Sequence, residues 1–401
     1  MRRIALGLTL MFSAAVVCAQ DEGMEVDKSH AQAIARSSII ADGHVDMPYR
    51  LQDGWADVTV SAPDRNFDYP RAMAGGLSLP FMSIYTPAEM EETGGGYLLA
   101  NQLIDSVEAL VGRAPDKFAM AHSTAQAEAA IASGKIALAL GLENGSPIEG
   151  KLENVAHFHA RGIRYITLAH GLSNHISDSS YDENRQWNGL SPFGRKVVAE
   201  MNRLGIMVDI SHLSDEAAFD VLELSQVPVI ASHSSARHFT PGWERNMGDE
   251  LIRALADNGG IIMINFGSTF LTKDANEWST ARTAAREAWS EETGHAEDSP
   301  EAEEWEESYR AQNPLPFASV SDIADHYDHV IGLVGVEHVG VGSDYDGVGD
   351  SLPVGMKDVS TYPNLVAELL RRGYSEEDIR AILGGNLMRV WRSVESHAAA
   401  Q

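Results

Sequence analysis

Ser38-Ile39-Ile40-Ala41-Asp42-Gly43-His44-Val45-Asp46 is an apolar run that breaks into a His-x-Asp pair. A short continuous apolar run fits a strand buried on both faces. On an extended segment side chains two apart share a face, so His44 and Asp46 point the same way. An imidazole nitrogen beside a carboxylate oxygen suits zinc. The stretch therefore reads as a buried strand that delivers metal-binding groups at its end.

The same pattern recurs along the chain. Strand-like runs follow at 77–85, 136–142, 163–169, 206–211, 227–232, 260–266 and 339–343, giving eight with 38–41. Amphipathic stretches separate them at 96–111, 151–160, 193–204, 215–224, 247–257 and 320–334, with Ser214 placed as a helix N-cap. Stretches 359–372 and 375–394 read as closing helices. Strands alternating with helices in this order predict an α/β fold, a (β/α)8 TIM barrel. No sequence repeat of fixed period is present. One segment, about 276–312, breaks the alternation between the seventh and eighth strands. It is long, acidic and rich in Ala, Glu and Trp, and reads as a helical insertion on the loop side. Its expected role is a solvated appendage rather than a lid or a dimer contact.

Active-site groups of such a barrel project from the C-terminal ends of the strands. Here the candidate ligands fall there. Glu143 follows the third run, in Gly141-Leu142-Glu143-Asn144-Gly145. His212 closes Asp209-Ile210-Ser211-His212, His233 sits in Ala231-Ser232-His233-Ser234-Ser235, and Asp344 in Gly342-Ser343-Asp344-Tyr345-Asp346-Gly347. A buried carboxylate such as Glu143 is costly unless paired or metal-bound. Each residue alone is weak, since a lone His after a strand is more often an ordinary loop residue. Converging on one barrel mouth, they predict a metal centre. His44 and Asp46 would hold one ion, His212 and His233 a second, and Glu143 would bridge. Asp344 would pass a proton to a leaving amine. His170, after the fourth run, would polarise a substrate carbonyl. Arg245 could clamp a substrate carboxylate; a surface arginine is the plain alternative. His157, His159, His326, His329 and His338 read as ordinary. His175 and His238 lie on loops near the mouth and stay open.

The ends and composition set the context. Arg2 and Arg3 precede an apolar run from 4 to 17, and Val17-Cys18-Ala19 offers small residues for cleavage. This layout predicts a signal peptide over 1–19, with residues 20–401 as one catalytic domain, exported to the periplasm or secreted. Cys18 also suggests a lipoprotein, but Val17 fits that processing poorly. Cys18 is the only cysteine in the chain. The mature protein then has no disulfides and no thiolate chemistry, so its ligands are His, Asp and Glu. With 58 acidic against 30 basic residues, the formal charge of −28 repels nucleic acid and anionic lipid. No stretch of the mature chain reads as a membrane span.

Seven stretches, in order, then carry a resemblance. They are Asp42-Gly43-His44-Val45-Asp46-Met47-Pro48, Gly162-Ile163-Arg164-Tyr165-Ile166-Thr167-Leu168-Ala169-His170, Asp209-Ile210-Ser211-His212, Ser232-His233-Ser234-Ser235-Ala236, Arg245-Asn246, Gly342-Ser343-Asp344-Tyr345-Asp346-Gly347 and Gly385-Asn386-Leu387-Met388-Arg389-Val390. The chain resembles the membrane (renal) dipeptidase family of zinc peptidases, among the amidohydrolase-like barrels. The resemblance implies two zinc ions (Zn2+) per subunit, one on His44 and Asp46, one on His212 and His233, with Glu143 on both. It makes His170 the substrate-polarising residue, Arg245 the binder of the dipeptide's C-terminal carboxylate, and Asp344 the acid/base group beside a bridging hydroxide. It implies hydrolysis of short peptides, mainly dipeptides, with a D-residue accepted on the C-terminal side. It leaves a homodimer open. Three positions depart from the family pattern: Asn144 where Gly is usual, Tyr345 where Phe is common, and Asn265-Phe266-Gly267 without the aromatic residue some relatives carry next.

Two other readings compete. A lactonase, phosphotriesterase or deaminase on the same barrel often bridges its metals with a carboxylated lysine. The fourth run has no lysine, and Glu143 takes that place. A non-catalytic barrel protein would tend to lose Asp344 or a bridging ligand, and all are present.

Overall fold

The eight expected runs form one closed parallel barrel. A computed structural model describes residues 28–296 and 299–401; the expected signal peptide lies outside them. The strands are β1 Ile40–Val45, β2 Leu77–Tyr85, β3 Phe118–Met120, β4 Ile136–Glu143, β5 Ile163–Thr167, β6 Met207–Asp209, β7 Ile230–Ala231, β8 Ile261–Ile264 and β9 Val339–Val341. Their order is β2-β1-β9-β8-β7-β6-β5-β4, and pairing of β2 with β4 closes the ring. All pairings between strands are parallel. β1, β4, β5 and β8 are buried along their whole length, which is why their runs are apolar without alternation.

β3 is an addition to the expected set. It pairs with the first residues of β4, from Phe118 opposite Ile136 to Met120 opposite Leu138. From Ala139 onward that edge of β4 belongs to β2. With only three residues, β3 leaves no apolar run to read.

The expected helices form close to their predicted bounds. Ser214 caps helix Asp215–Leu224 and accepts a hydrogen bond from the Ala217 backbone N–H. The last expected helix is broken. Glu376–Arg380 and Asn386–Ala399 are joined by a wider π turn at Ala381–Gly385. A β-carbon on Gly384 would lie 2.4 Å from the Ile39 carbonyl oxygen, so this turn presses directly on the start of β1. Helix Asn386–Ala399 packs Leu387, Val390 and Trp391 against the inward-facing Ala41, Leu79 and Phe81. The Phe81 and Trp391 rings are 5.3 Å apart. These residues lie in the first halves of their strands, so the helix plugs the N-terminal end and leaves the C-terminal end for a site.

Between β8 and β9 stand helices Lys273–Thr293 and Pro300–Gln312. Arg282 pairs with Glu306, and Trp289 stacks on Trp305, holding the two together. Among the described residues no helix is long and apolar enough to cross a membrane.

Candidate metal centre

The candidate ligands arrive on different strands. His44 lies within β1, and Glu143 is the last residue of β4. His170, His212 and Asp344 each come three residues after β5, β6 and β9, and His233 two after β7. Asp46 corrects the expectation for the His-x-Asp pair. It sits at the N-cap of helix Met47–Asp53, at φ −87 and ψ 17, and not on an extended segment. The turn into that helix, rather than strand alternation, brings its Oδ2 to 3.4 Å from His44 Nε2.

Glu143 is the hub. Its Oε2 lies 3.2 Å from His44 Nε2. Its Oε1 lies 3.3 Å from His212 Nε2, 3.4 Å from His233 Nε2 and 3.6 Å from His170 Nε2. Ser83 donates to Oε2 at 3.0 Å. Donor atoms of His44, Glu143 and His233 fall within 4.8 Å of one another, as do those of Glu143, His170 and His212, and those of His44, Asp46 and Asp344. All the expected ligands are thus brought together. The distances draw no line between two sets, since the His44 and His233 rings are 3.8 Å apart.

A second ring of residues holds the ligands in place. Asp209 accepts from the Ser232 hydroxyl at 2.6 Å, and Ser232 meets His233 Nδ1 at 2.7 Å. The serine's one proton goes to Asp209, so His233 Nδ1 donates to the serine and Nε2 carries the lone pair. Thr167 and the Ser211 and Ser232 backbone N–H groups complete the Asp209 shell. Asp42 serves β1 in the same way, accepting from the His44 and Ser343 N–H groups and from the Tyr362 hydroxyl. Tyr165 meets His44 Nδ1 at 2.8 Å. Asn265 donates to Asp344 Oδ2 at 2.7 Å.

This donor set fits a cation. His212 Nε2 and His233 Nε2 face each other at 2.9 Å. His212 Nδ1 is buried without a hydrogen-bond partner, so either tautomer leaves one ring nitrogen of the pair unmatched. His44 Nε2 is likewise buried without a hydrogen bond of good geometry, facing only the Glu143 and Asp46 carboxylates. A cation on these lone pairs removes the cost of burying them. Nitrogen and oxygen donors without sulfur suit zinc among other divalent ions. Burial pushes His170, His212 and His233 below the usual imidazole range and so favours the neutral, lone-pair form. Burial alone would raise Glu143, but His44 and the imidazole hydrogen bonds hold it well below the usual carboxylate range. Burial, then the Asp46 carboxylate, push Asp344 well up.

The backbone is strained here. His212 and Asp344 adopt left-handed φ values of 70 and 61. Such strain in side-chain-bearing residues gathers at functional sites. Asn144, next to Glu143, has φ 82, which explains why glycine suits that position and asparagine is tolerated.

The centre opens into a cavity of about 760 Å³. His170 and Arg245 line it, as expected. Arg245 is buried rather than a surface residue. Its Nη1 donates to Ser234 Oγ at 2.8 Å and its Nη2 to the His233 carbonyl at 2.9 Å, while the guanidinium lies over the Phe270 ring. His170 meets the edge of Tyr85. His175 and His238 are not part of this wall. His175 pairs with Glu91, and His238 stacks on His329. The insertion is no solvated appendage. Trp278, Arg282 and Arg310 form part of the cavity wall; both arginines pair with Glu306, and Trp278 donates to the Asn313 carbonyl.

Ser83, Tyr165 and Asn265 were given no role by the sequence reading, although Tyr165 and Asn265 stood inside quoted stretches. Each lies within or just after an apolar strand run, where it reads as filler. Asp42, Asp209 and Ser232 were visible inside the quoted motifs, but nothing in spacing alone marks them as supports.

The sequence model of the membrane dipeptidase family, peptidase family M19, matches residues 28–401. The chain is 33% identical over 377 residues to Dipeptidase 3 of Homo sapiens, covering 92% of this chain and 67% of that one. It is 34% identical over 341 residues to Dipeptidase tcpJ of Claviceps purpurea (strain 20.1), covering 83% and 70%. Its fold is similar to the crystal structure of the probable dipeptidase PvdM from Pseudomonas aeruginosa, with a TM-score of 0.81 and 26% identity over 93% of this chain and 100% of that one.

Proposed function

This chain belongs to the membrane dipeptidase family of metallopeptidases, and on that premise we propose that it cleaves dipeptides at a pair of zinc ions. His44 and Asp46 would hold one ion, His212 and His233 the other, and Glu143 would serve both. When bound, the pair supplies an activated hydroxide at neutral pH and Lewis acidity at the scissile carbonyl. The observation that carries this reading is the two-sided placement of Glu143, with Oε2 3.2 Å from His44 and Oε1 3.3 and 3.4 Å from His212 and His233.

The chain's own residues do the rest. Arg245 receives the C-terminal carboxylate of the dipeptide through a forked hydrogen bond. Its anchors on Ser234 and the His233 carbonyl hold it ready before substrate enters. His170 polarises the scissile carbonyl. Asp344 takes a proton on the oxygen that Asn265 leaves free and hands it to the leaving amine. A D-residue is accepted on the C-terminal side. The protein acts after export and removal of residues 1–19.

The test is a dipeptide panel on purified protein, with and without chelator, together with zinc analysis of Glu143→Ala. Turnover lost to chelator and restored by zinc supports the proposal. Cleavage of a lactone or phosphotriester but no dipeptide would assign a different hydrolase, and no turnover at all a non-catalytic barrel. Normal zinc content in Glu143→Ala would refute the bridge.

A further inference from the structure

Residues 273–312 carry twelve Asp and Glu against four Lys and Arg. Yet what this insertion gives the cavity includes Trp278, Arg282 and Arg310, and none of its described acids. Arg282, from the first helix, donates from Nε to both oxygens of Glu306, at 2.8 and 2.9 Å. Arg310, from the second, donates from Nε to the same carboxylate at 2.5 Å and lies over the Trp278 ring at 5.4 Å. Two guanidiniums therefore share one carboxylate, and this part of the wall keeps a net positive charge. Fastening two helices needs one such pair. The Arg310 pair lies within one helix, four residues apart, so this ion pair does not fasten the two; it leaves a second guanidinium facing the cavity of a chain with a formal charge of −28.

We propose that Arg282 and Arg310 form an outer subsite for an acidic side chain of the substrate, so that the enzyme favours dipeptides containing Asp or Glu. The proposal rests on the dipeptidase reading and deepens it. Arg245 is the cation for the α-carboxylate; Arg282 and Arg310 serve the carboxylate of a side chain. The guanidinium fork suits such a carboxylate, and the cavity shields the contact from the acidic surface. Each arginine is oriented through its Nε before substrate enters.

The experiment compares kcat/KM for pairs of dipeptides that differ only as Glu against Gln, placed at either position, with zinc-loaded protein. Wild type should prefer Glu at one position by about tenfold, the scale of one charge-assisted contact at a partly exposed site. Arg310→Gln and Arg282→Gln should bring that ratio toward one, mainly through KM. Arg310→Lys should restore part of it. Wild type that cleaves the pairs without a charge preference overturns this inference alone. Arg310→Gln slowing both members of a pair equally also overturns it, since a merely structural role predicts that result. Wild type that cleaves no dipeptide overturns the dipeptidase reading as well.

Discussion

A β-carbon on Gly141 would sit 1.9 Å from the Cζ atom of Tyr165. The two residues are paired across β4 and β5, and the ring occupies the space the glycine leaves. From there its hydroxyl reaches His44 Nδ1. Gly141→Ala should displace the ring, destabilise the fold by about 1–3 kcal/mol through overpacking, and loosen His44. Thermal unfolding and zinc content should fall together. A variant with wild-type values of both would show that the ring has room to spare.

Asp344→Asn should keep its metal and lose activity by about 10²–10⁴-fold, since it removes a proton carrier. Asparagine tolerates the left-handed backbone at this position, so the fold is spared. Elemental analysis alongside kcat tests this. Full turnover in the variant would contradict the assigned role.

Arg245→Lys should raise KM about tenfold for dipeptides with a free C-terminus, because lysine cannot form the fork. Dipeptide amides, which lack the carboxylate, should lose far less. Equal losses on both substrates would place the arginine's contribution elsewhere.

His326 gives the fold a pH dependence away from the metal centre. Its Nδ1 accepts from the Ala236 backbone N–H, and its Nε2 meets the Leu271 carbonyl, so the neutral ring satisfies both. Burial, with small contributions from His329 and His238, lowers it from 6.5 to about 4 in the folded chain. The unfolded chain therefore binds the proton first as pH falls. The stability this group contributes is complete above about 6.5 and is lost between about 6.5 and 4, roughly 3 kcal/mol in all. Unfolding midpoints of wild type and His326→Gln at pH 7 and 4.5 should show a steeper fall in the wild type. Parallel slopes would remove His326 as the cause.

The barrel was legible because buried parallel strands are continuous apolar runs. The clustered His, Asp and Glu side chains were legible because each interrupts or ends such a run with a group that is costly to bury. Tyr165 was hidden by the same logic: a tyrosine inside a strand looks like packing, and only the bare Gly141 opposite shows where its hydroxyl goes. Asn265 reads as an ordinary turn former. The orientation of the insertion was illegible for another reason. Its helices carry little apolar patterning, and the contacts that join them, Arg282 with Glu306 and Trp289 on Trp305, leave no period in the sequence. Asp46 reaches the cluster by a different geometry from the one expected, since a helix begins where the strand was expected to continue.

β1 and β9 lie side by side although they are the first and last strands of the chain. His44 therefore gains Asp344 as a neighbour only once the far end of the polypeptide is in place. A nascent chain still on the ribosome, or a fragment cut before residue 339, has an open seam beside β1 and an unfinished cage. A fragment cut there would keep all five proposed ligands, which precede residue 339, but lose the strand that seals the barrel beside His44.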